Sequence, residues 1–229
     1  MAFDQSALAQ IFDPIPDDLV AYFDHIADGS LSSLFEFELN LLPVSRAIGL
    51  TAQFLQFHPI VRALNGFVLD DGNTSDHHVY LAAAPLMGAV LFLSHDGDSR
   101  VVYPSLNDFL RAAETTKKVG RRFSEIHPLH SPVTSDQTAL SEFVSQQLVI
   151  GGATAAIAAV IPSMDLHDLA LLRRLAKDDD FFLGEAVAIE IAKRPSVELR
   201  EIAELCAAHR HRQVADAGRR ACEVLAPLN

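Results

Sequence analysis

Four short apolar runs between residues 66 and 103 constrain the fold more than any other feature of this sequence. They are residues 66–69, 79–81, 89–93 and 100–103. Each run has the length and the β-branched or aromatic content of a strand, and segments rich in Asp, Asn, Gly and Ser separate them. The loop at 95–99 is too short for a crossover connection, so it indicates an antiparallel hairpin. The pattern therefore predicts an antiparallel meander.

Helix signals lie on both sides of this meander. Pro16 and the two aspartates after it suit the first turn of a helix, which presents an apolar face of Leu19, Tyr22, Phe23 and Ile26. Ser105, followed three residues later by Asp108, has the pattern of a capping box at the start of a closing helix. The alternation in residues 34–39 predicts a further half-buried strand with Phe35, Phe37 and Leu39 on one side. Helices around an antiparallel-rich sheet define the α+β class.

Beyond residue 134 the apolar spacing is helical throughout. The candidate helices are 137–161, 165–177, 181–194, 196–209 and 212–226. In the last of them, Val214, Ala217, Gly218, Ala221, Cys222 and Leu225 form one continuous apolar stripe. Proline ends the segments 165–195 and 196–227, which is compatible with two successive HEAT-like helical hairpins. This half of the chain is predicted to be an all-α helical annex.

A basic and proline-containing stretch separates the two patterns. Residues 116–122 contain Lys117, Lys118, Arg121 and Arg122, and residues 127–132 contain two prolines. Each proline removes a backbone donor and disfavours helix at the residue before it. The sequence therefore predicts an α+β domain at 1–116, a linker at 117–134 and the helical annex at 135–229.

The formal charge of −12 is concentrated in the first half of the chain. Residues 1–115 carry 15 acidic and four basic residues, whereas residues 116–229 carry 15 acidic and 14 basic ones. Nucleic acids and anionic membranes both require a positive protein surface. The charge therefore argues against direct binding to nucleic acid or to an anionic membrane.

Nothing in the sequence predicts export or membrane insertion. The first five residues lack the basic and apolar regions of a secretory signal. The most apolar tract, residues 149–161, is 13 residues long, and a spanning helix needs about 20. The two cysteines cannot form a disulfide framework. We therefore expect a cytoplasmic protein whose fold does not depend on oxidation.

Two turns of the meander hold the richest cluster of chemically active side chains. Its members are Asp70, Asp71, Asp76, His77, His78, His95, Asp96 and Asp98. Carboxylates and imidazoles are ligands of Mn, Fe and Zn, so His77, His78 and His95 are candidate metal ligands. Asp, Asn and Gly are also the residues that tight turns prefer, and no established metal-binding motif is present. The turn interpretation is favoured, and no cofactor is predicted.

The order of the elements in residues 14–115 resembles the SUKH superfamily, which includes a fungal cell-wall-assembly regulator and many bacterial immunity proteins. The segments that carry the resemblance are Ile15–Leu19, Gly66–Asn73, Val79–Leu81, Pro85–Asp96 and Tyr103–Leu110. Residues 120–229 lie outside the pattern. The resemblance implies binding rather than catalysis, because bacterial members typically neutralise a cognate toxin, often a nuclease.

Three hypotheses follow from these observations. In the first, the chain is a non-catalytic immunity protein that binds a toxin through an acidic surface formed by Asp70, Asp71, Asp76, Asp96 and Asp98. In the second, it is an intracellular adaptor whose helical annex binds the partner. In the third, it is a metal-dependent hydrolase that uses His77, His78, His95, Asp96 and Asp98. The first hypothesis is preferred, since a positive nuclease site attracts an acidic partner.

Overall fold

A computed structural model describes residues 5–228, and it divides the chain into two compact units, one ending at Pro132 and one beginning at Val133. Residues 1–4, which include most of the segment tested for a secretory signal, lie outside the described part. The predicted α+β class with a helical C-terminal region is confirmed. Among the described helices, none combines the length and apolar character that crossing a bilayer requires.

The first unit is a four-stranded antiparallel meander with helices. The strands are β1 (Gly66–Val68), β2 (His77–Leu81), β3 (Val90–Leu93) and β4 (Arg100–Tyr103), in that order across the sheet. The helices are α1 (Asp17–Ile26), α2 (Val44–Phe57), α3 (Pro59–Ala63) and α4 (Leu106–Val119). Paired residues include Val68 with Val79 and His78 with Phe92. The meander predicted from the four apolar runs is thus confirmed.

The core of this unit lies where α1, α4 and one face of the sheet meet. Tyr22 and Phe23 of α1 contact Phe109 and Phe67 respectively, with ring centroids 6.2 and 6.1 Å apart. Tyr80 of β2 belongs to the same buried cluster and donates from its hydroxyl to Asp18, 3.0 Å away. The apolar face predicted for α1 is therefore the face that packs. Burial of these aromatic rings is the main stabilising contribution here.

The strand predicted at residues 34–39 is wrong. Phe35–Phe37 form a 3₁₀ turn, and Leu34 and Leu39 hydrogen bond to each other across it in both directions. Glu38 has a φ of +56°, which closes this tight loop. Leu39 is buried, but Phe35 is 46% exposed, so the alternating residues do not share a buried side. The alternating apolar residues of this segment therefore form a small loop closed by Leu34 and Leu39, and they do not form a strand.

The helix start predicted at Ser105 is confirmed as the N-cap of α4, and it provides a test of local stability. Ser105 Oγ accepts a hydrogen bond from the Asp108 amide at 3.1 Å and donates to the Asp108 carboxylate at 2.6 Å. We expect Ser105→Ala to lower the free energy of unfolding by about 1 kcal/mol, because it leaves a helix N–H unsatisfied. Urea denaturation measures this loss. The exposed Ser75 is the control, and Ser75→Ala should change stability by less than about 0.5 kcal/mol.

Residues of the predicted linker 117–134 belong largely to the first unit. Lys117–Val119 complete the last turn of α4, which ends at Gly120 with a φ of +66°. Phe123–Ile126 form a 3₁₀ turn in which Phe123 is buried in the core. The stretch that its charge and prolines predict to be a linker thus belongs to the first unit up to Pro132. Local composition did not predict this assignment, because one buried ring, that of Phe123, gives no apolar pattern in a stretch of basic residues and prolines.

The second unit consists of helices. They are α5 (Gln137–Ile150), α6 (Thr154–Val160), α7 (Leu169–Ala176), α8 (Phe181–Lys193), α9 (Arg200–Ala207) and α10 (Arg212–Leu225). The single helix predicted at 137–161 is wrong, because Gly151 and Gly152 have φ values of +77° and +72° and separate α5 from α6. The predicted α10 stripe is buried except at Cys222, which is partly exposed. It packs on α8 and α9.

Candidate functional site

The two acidic turns of the meander lie at the same end of the sheet. One joins β1 to β2 and the other joins β3 to β4, and antiparallel strands bring alternate turns to one end. The Asp76 carboxylate accepts a hydrogen bond from the His95 amide at 2.7 Å, which ties the two turns together. We call the carboxylates of Asp71, Asp76, Asp96 and Asp98 the acidic edge. Asp96 and Asp98 are exposed, and Asp71 and Asp76 are partly exposed.

Backbone capping explains part of this composition. Asp71 Oδ1 accepts from the Asn73 amide at 3.2 Å, and Asn73 has a φ of +61°. In the second turn Gly97 has a φ of +96°, and the Ser99 hydroxyl accepts from the Ser94 amide. These are the roles that Asp, Asn and Gly have in tight turns. The turn interpretation and an acidic surface are therefore compatible, since one set of residues supplies both.

Asp70 does not belong to the acidic edge, which corrects the predicted docking set. Its side chain is buried, with the residue 2% exposed. Asp70 Oδ1 accepts from the His78 amide and Oδ2 accepts from His78 Nδ1, both at 2.6 Å. Asp70 also forms an antiparallel β-bridge with Leu41, so neighbouring chain covers its backbone as well. A carboxylate held in this way cannot contact a partner protein.

The structure disperses the three candidate metal-ligating histidines. His77 is buried, and its Nδ1 donates to the Asp70 carbonyl at 3.0 Å while the ring meets Phe54 edge to face. His78 points to the opposite face of β2, since neighbouring side chains of a strand alternate. His95 is exposed in its turn. Within residues 5–228, no group of three or more His, Cys, Asp or Glu side chains is arranged to hold a metal ion.

A chain of hydrogen bonds runs from the buried Asp70 through the buried His78 to the partly buried His127. The Nε2 atoms of His78 and His127 are 2.8 Å apart. The rings of Phe92, Phe109, Phe123 and Tyr103 surround the His78 ring, with centroids 4.5 to 6.5 Å away. We call Asp70, His78 and His127 the histidine chain. Because a carboxylate only accepts, His78 Nδ1 carries a proton.

Sequence reasoning missed His127, which lies 49 residues from its partner. It was assigned to a proline-containing linker, and no spacing rule links that segment to a strand. Burial in the aromatic surroundings, together with the nearby His78 and Arg100, lowers the pKa of His127 to about 2. Burial also raises the pKa of the Tyr103 hydroxyl far above its usual range. Both groups are therefore uncharged at neutral pH.

The unit boundary at Pro132 changes the charge distribution. Counted to that residue, the first unit contains 16 acidic and eight basic residues, a formal charge of −8, and the remainder carries −4. Two of the added basic residues are paired locally, Arg121 with Glu125 at 3.1 Å and Arg122 with Glu38 at 3.4 Å. The first unit therefore remains the more acidic of the two, by a smaller margin than the sequence halves indicate.

Comparison of the chain with protein families, with curated proteins and with solved structures finds no match. The class of molecule is therefore defined by its architecture, an antiparallel α+β unit followed by a helical unit.

Proposed function

We propose that this chain is a non-catalytic cytoplasmic binding protein that presents the acidic edge to a basic surface of another protein, in the manner of an immunity protein that neutralises a toxin. The hydrogen bond from the His95 amide to Asp76 carries the proposal, because it joins two separate acidic turns into one contact surface. The resemblance of residues 14–115 to the SUKH superfamily supports the same function.

The position of the acidic edge suits a preformed contact surface. Its carboxylates stand on turns that connect hydrogen-bonded strands of the sheet, and each turn is further held by side-chain bonds to its own backbone. Groups held in one geometry lose little conformational freedom on binding. Negative charge concentrated on one edge accelerates encounter with a positive partner and favours one orientation. A nuclease active site is such a partner, since it must attract phosphates.

Charge reversal at the two exposed members tests the proposal. Asp96 and Asp98 lie in the second turn, where no described hydrogen bond uses their carboxylates. We expect Asp96→Lys with Asp98→Lys to slow association with the partner at least about tenfold at low salt, because electrostatic steering is lost. Stopped-flow measurement across a salt series, with a catalytically inactivated nuclease toxin domain as the partner, gives the rate and its salt dependence.

A matched control distinguishes the effect of the acidic edge from the effect of net charge. Asp24 of α1 and Glu36 of the 34–39 loop are exposed acids of the same unit outside the two turns. Asp24→Lys with Glu36→Lys changes the formal charge by the same amount, and should slow association only about two- to threefold. Equal losses in the two double variants, or an unchanged rate and salt slope in the first, would refute the acidic edge as the docking surface.

A further inference from the structure

The contact between His78 and His127 limits how many protons the two rings can hold. Four ring nitrogens are present, and the two Nε2 atoms, 2.8 Å apart, share a single hydrogen position. With Nδ1 of His78 donating to Asp70, one ring at most can be an imidazolium while the contact exists. A second charge would place two N–H groups against each other. Separated rings have no such limit.

His127 is carried by a segment that few other bonds hold. We call residues 123–132 the latch segment, which runs from the 3₁₀ turn to the last residue of the first unit. Its other described attachments are the buried Phe123 ring, Ile126 against the core, Ser124, which donates to the Glu38 carboxylate at 3.2 Å, and Arg100, which donates to the Pro128 carbonyl at 2.5 Å and to Ser131 at 3.5 Å. Most of its remaining residues are exposed or partly exposed. None of these contacts belongs to the strand pairing of the sheet, so opening of the segment breaks no hydrogen bond between strands.

The groups that face the rings do not compensate a second charge. β4 contributes Arg100, which is itself positive, and the uncharged Tyr103, while β3 and α4 contribute only Phe92 and Phe109. The Asp70 carboxylate is the one negative group of the described chain that contacts the pair, and it can balance a single imidazolium. Glu125 of the latch segment and Glu38 of the 34–39 loop pair with Arg121 and Arg122. While the latch segment is closed, the His78–His127 pair therefore cannot take up the proton that would give it a second charge.

We propose that uptake of a second charge by the His78–His127 pair releases the latch segment, so that acid frees the chain that leads into the second unit. Above about pH 6.5 free imidazole is uncharged, so neither form takes up a second charge and pH does not weaken closure. Below that pH the open form holds one more proton than the closed form, so closure weakens as pH falls. The depressed pKa of His127 has the matching sign.

Hydrogen exchange over the pH range 7.5 to 5 tests this proposal on the full chain. After correction for intrinsic rates, we expect the opening constant of amides 123–131 to rise about tenfold per pH unit below pH 6.5. The amides of β3 should keep constant protection, which shows that the sheet stays folded. Exchange at 123–131 that is independent of pH, or that rises equally in β3, would overturn the proposal.

Two variants identify the group responsible. In His127→Gln the amide can still bond His78 but takes up no proton, so the pH dependence should disappear. His130, an exposed histidine of the same segment, is the control, and His130→Gln should keep the wild-type dependence. Should His127→Gln fail to fold, ¹⁵N titration of the wild-type imidazoles decides, since two rings that both become charged with the contact intact contradict the proposal. Protection that depends on added zinc or on chelator also overturns it.

Discussion

Asp70→Ala is expected to lower the free energy of unfolding of the first unit by about 3–5 kcal/mol, the largest effect of any single substitution considered for this chain. The carboxylate satisfies both the amide and the Nδ1 proton of His78, and all of these groups are buried. Its removal leaves two donors without acceptors in aromatic surroundings, and unsatisfied buried donors are costly. Since domains are stable by about 5–15 kcal/mol, much of the stability of the unit depends on this side chain.

Tyrosine fluorescence during urea denaturation measures this loss in the first unit alone. The chain has no tryptophan, and its three tyrosines, Tyr22, Tyr80 and Tyr103, all lie before Pro132. Asp71→Ala is the control at the adjacent position, where the side chain is partly exposed and caps one turn amide, and it should cost about 1 kcal/mol or less. A loss below about 1 kcal/mol for Asp70→Ala would contradict a structural role for the histidine chain.

Gly218→Ala is expected to destabilise the second unit by about 1–3 kcal/mol, although the same change inside a helix is usually stabilising. Gly218 lies within α10, where it packs against α9. A Cβ there would press on the amide of Ala207 and lie 2.7 Å from its Cα. These are backbone atoms, so the two helices must move apart, and α10 loses part of its contact along the buried stripe.

Gly49 provides the matched control, because it also lies inside a helix, α2, but a Cβ there meets nothing within 4 Å. Gly49→Ala should stabilise the first unit by about 0.5–1 kcal/mol. Circular dichroism at 222 nm follows the helices of both units, and comparison with tyrosine fluorescence assigns each transition. Stabilisation by Gly218→Ala would show that α9 and α10 are not in close backbone contact.

The sheet and most helices were predictable because their signals are local. Short apolar runs between turns marked β1 to β4, and the 3.6-residue stripe marked α10, because both signals are carried by residues close together in the chain. The strand predicted at 34–39 failed for the same local reason. Phe35, Phe37 and Leu39 have the alternation of a strand, but Leu34 and Leu39 pair across a loop that the alternation does not encode.

The boundary of the first unit was not predictable from composition. Phe123 and His127 lie in a basic, proline-containing stretch, yet both contact the rings around His78. The adaptor hypothesis is therefore best tested with residues 1–132, because a fragment ending at 116 lacks the latch segment. If 1–132 retains the partner, the helical annex is not the binding element.

By itself, the sequence determined that this chain forms an antiparallel meander with helices followed by a helical half, and that its first half is the more acidic. Only the tertiary structure decided which aspartates face outwards and what the histidines do. Asp70 and Asp71 are neighbours of the same type, but the β-bridge to Leu41 and the His78 side chain hold the first inside. Contacts between residues far apart in the chain depend on how strands and turns are placed in space, and no spacing along the sequence records that placement.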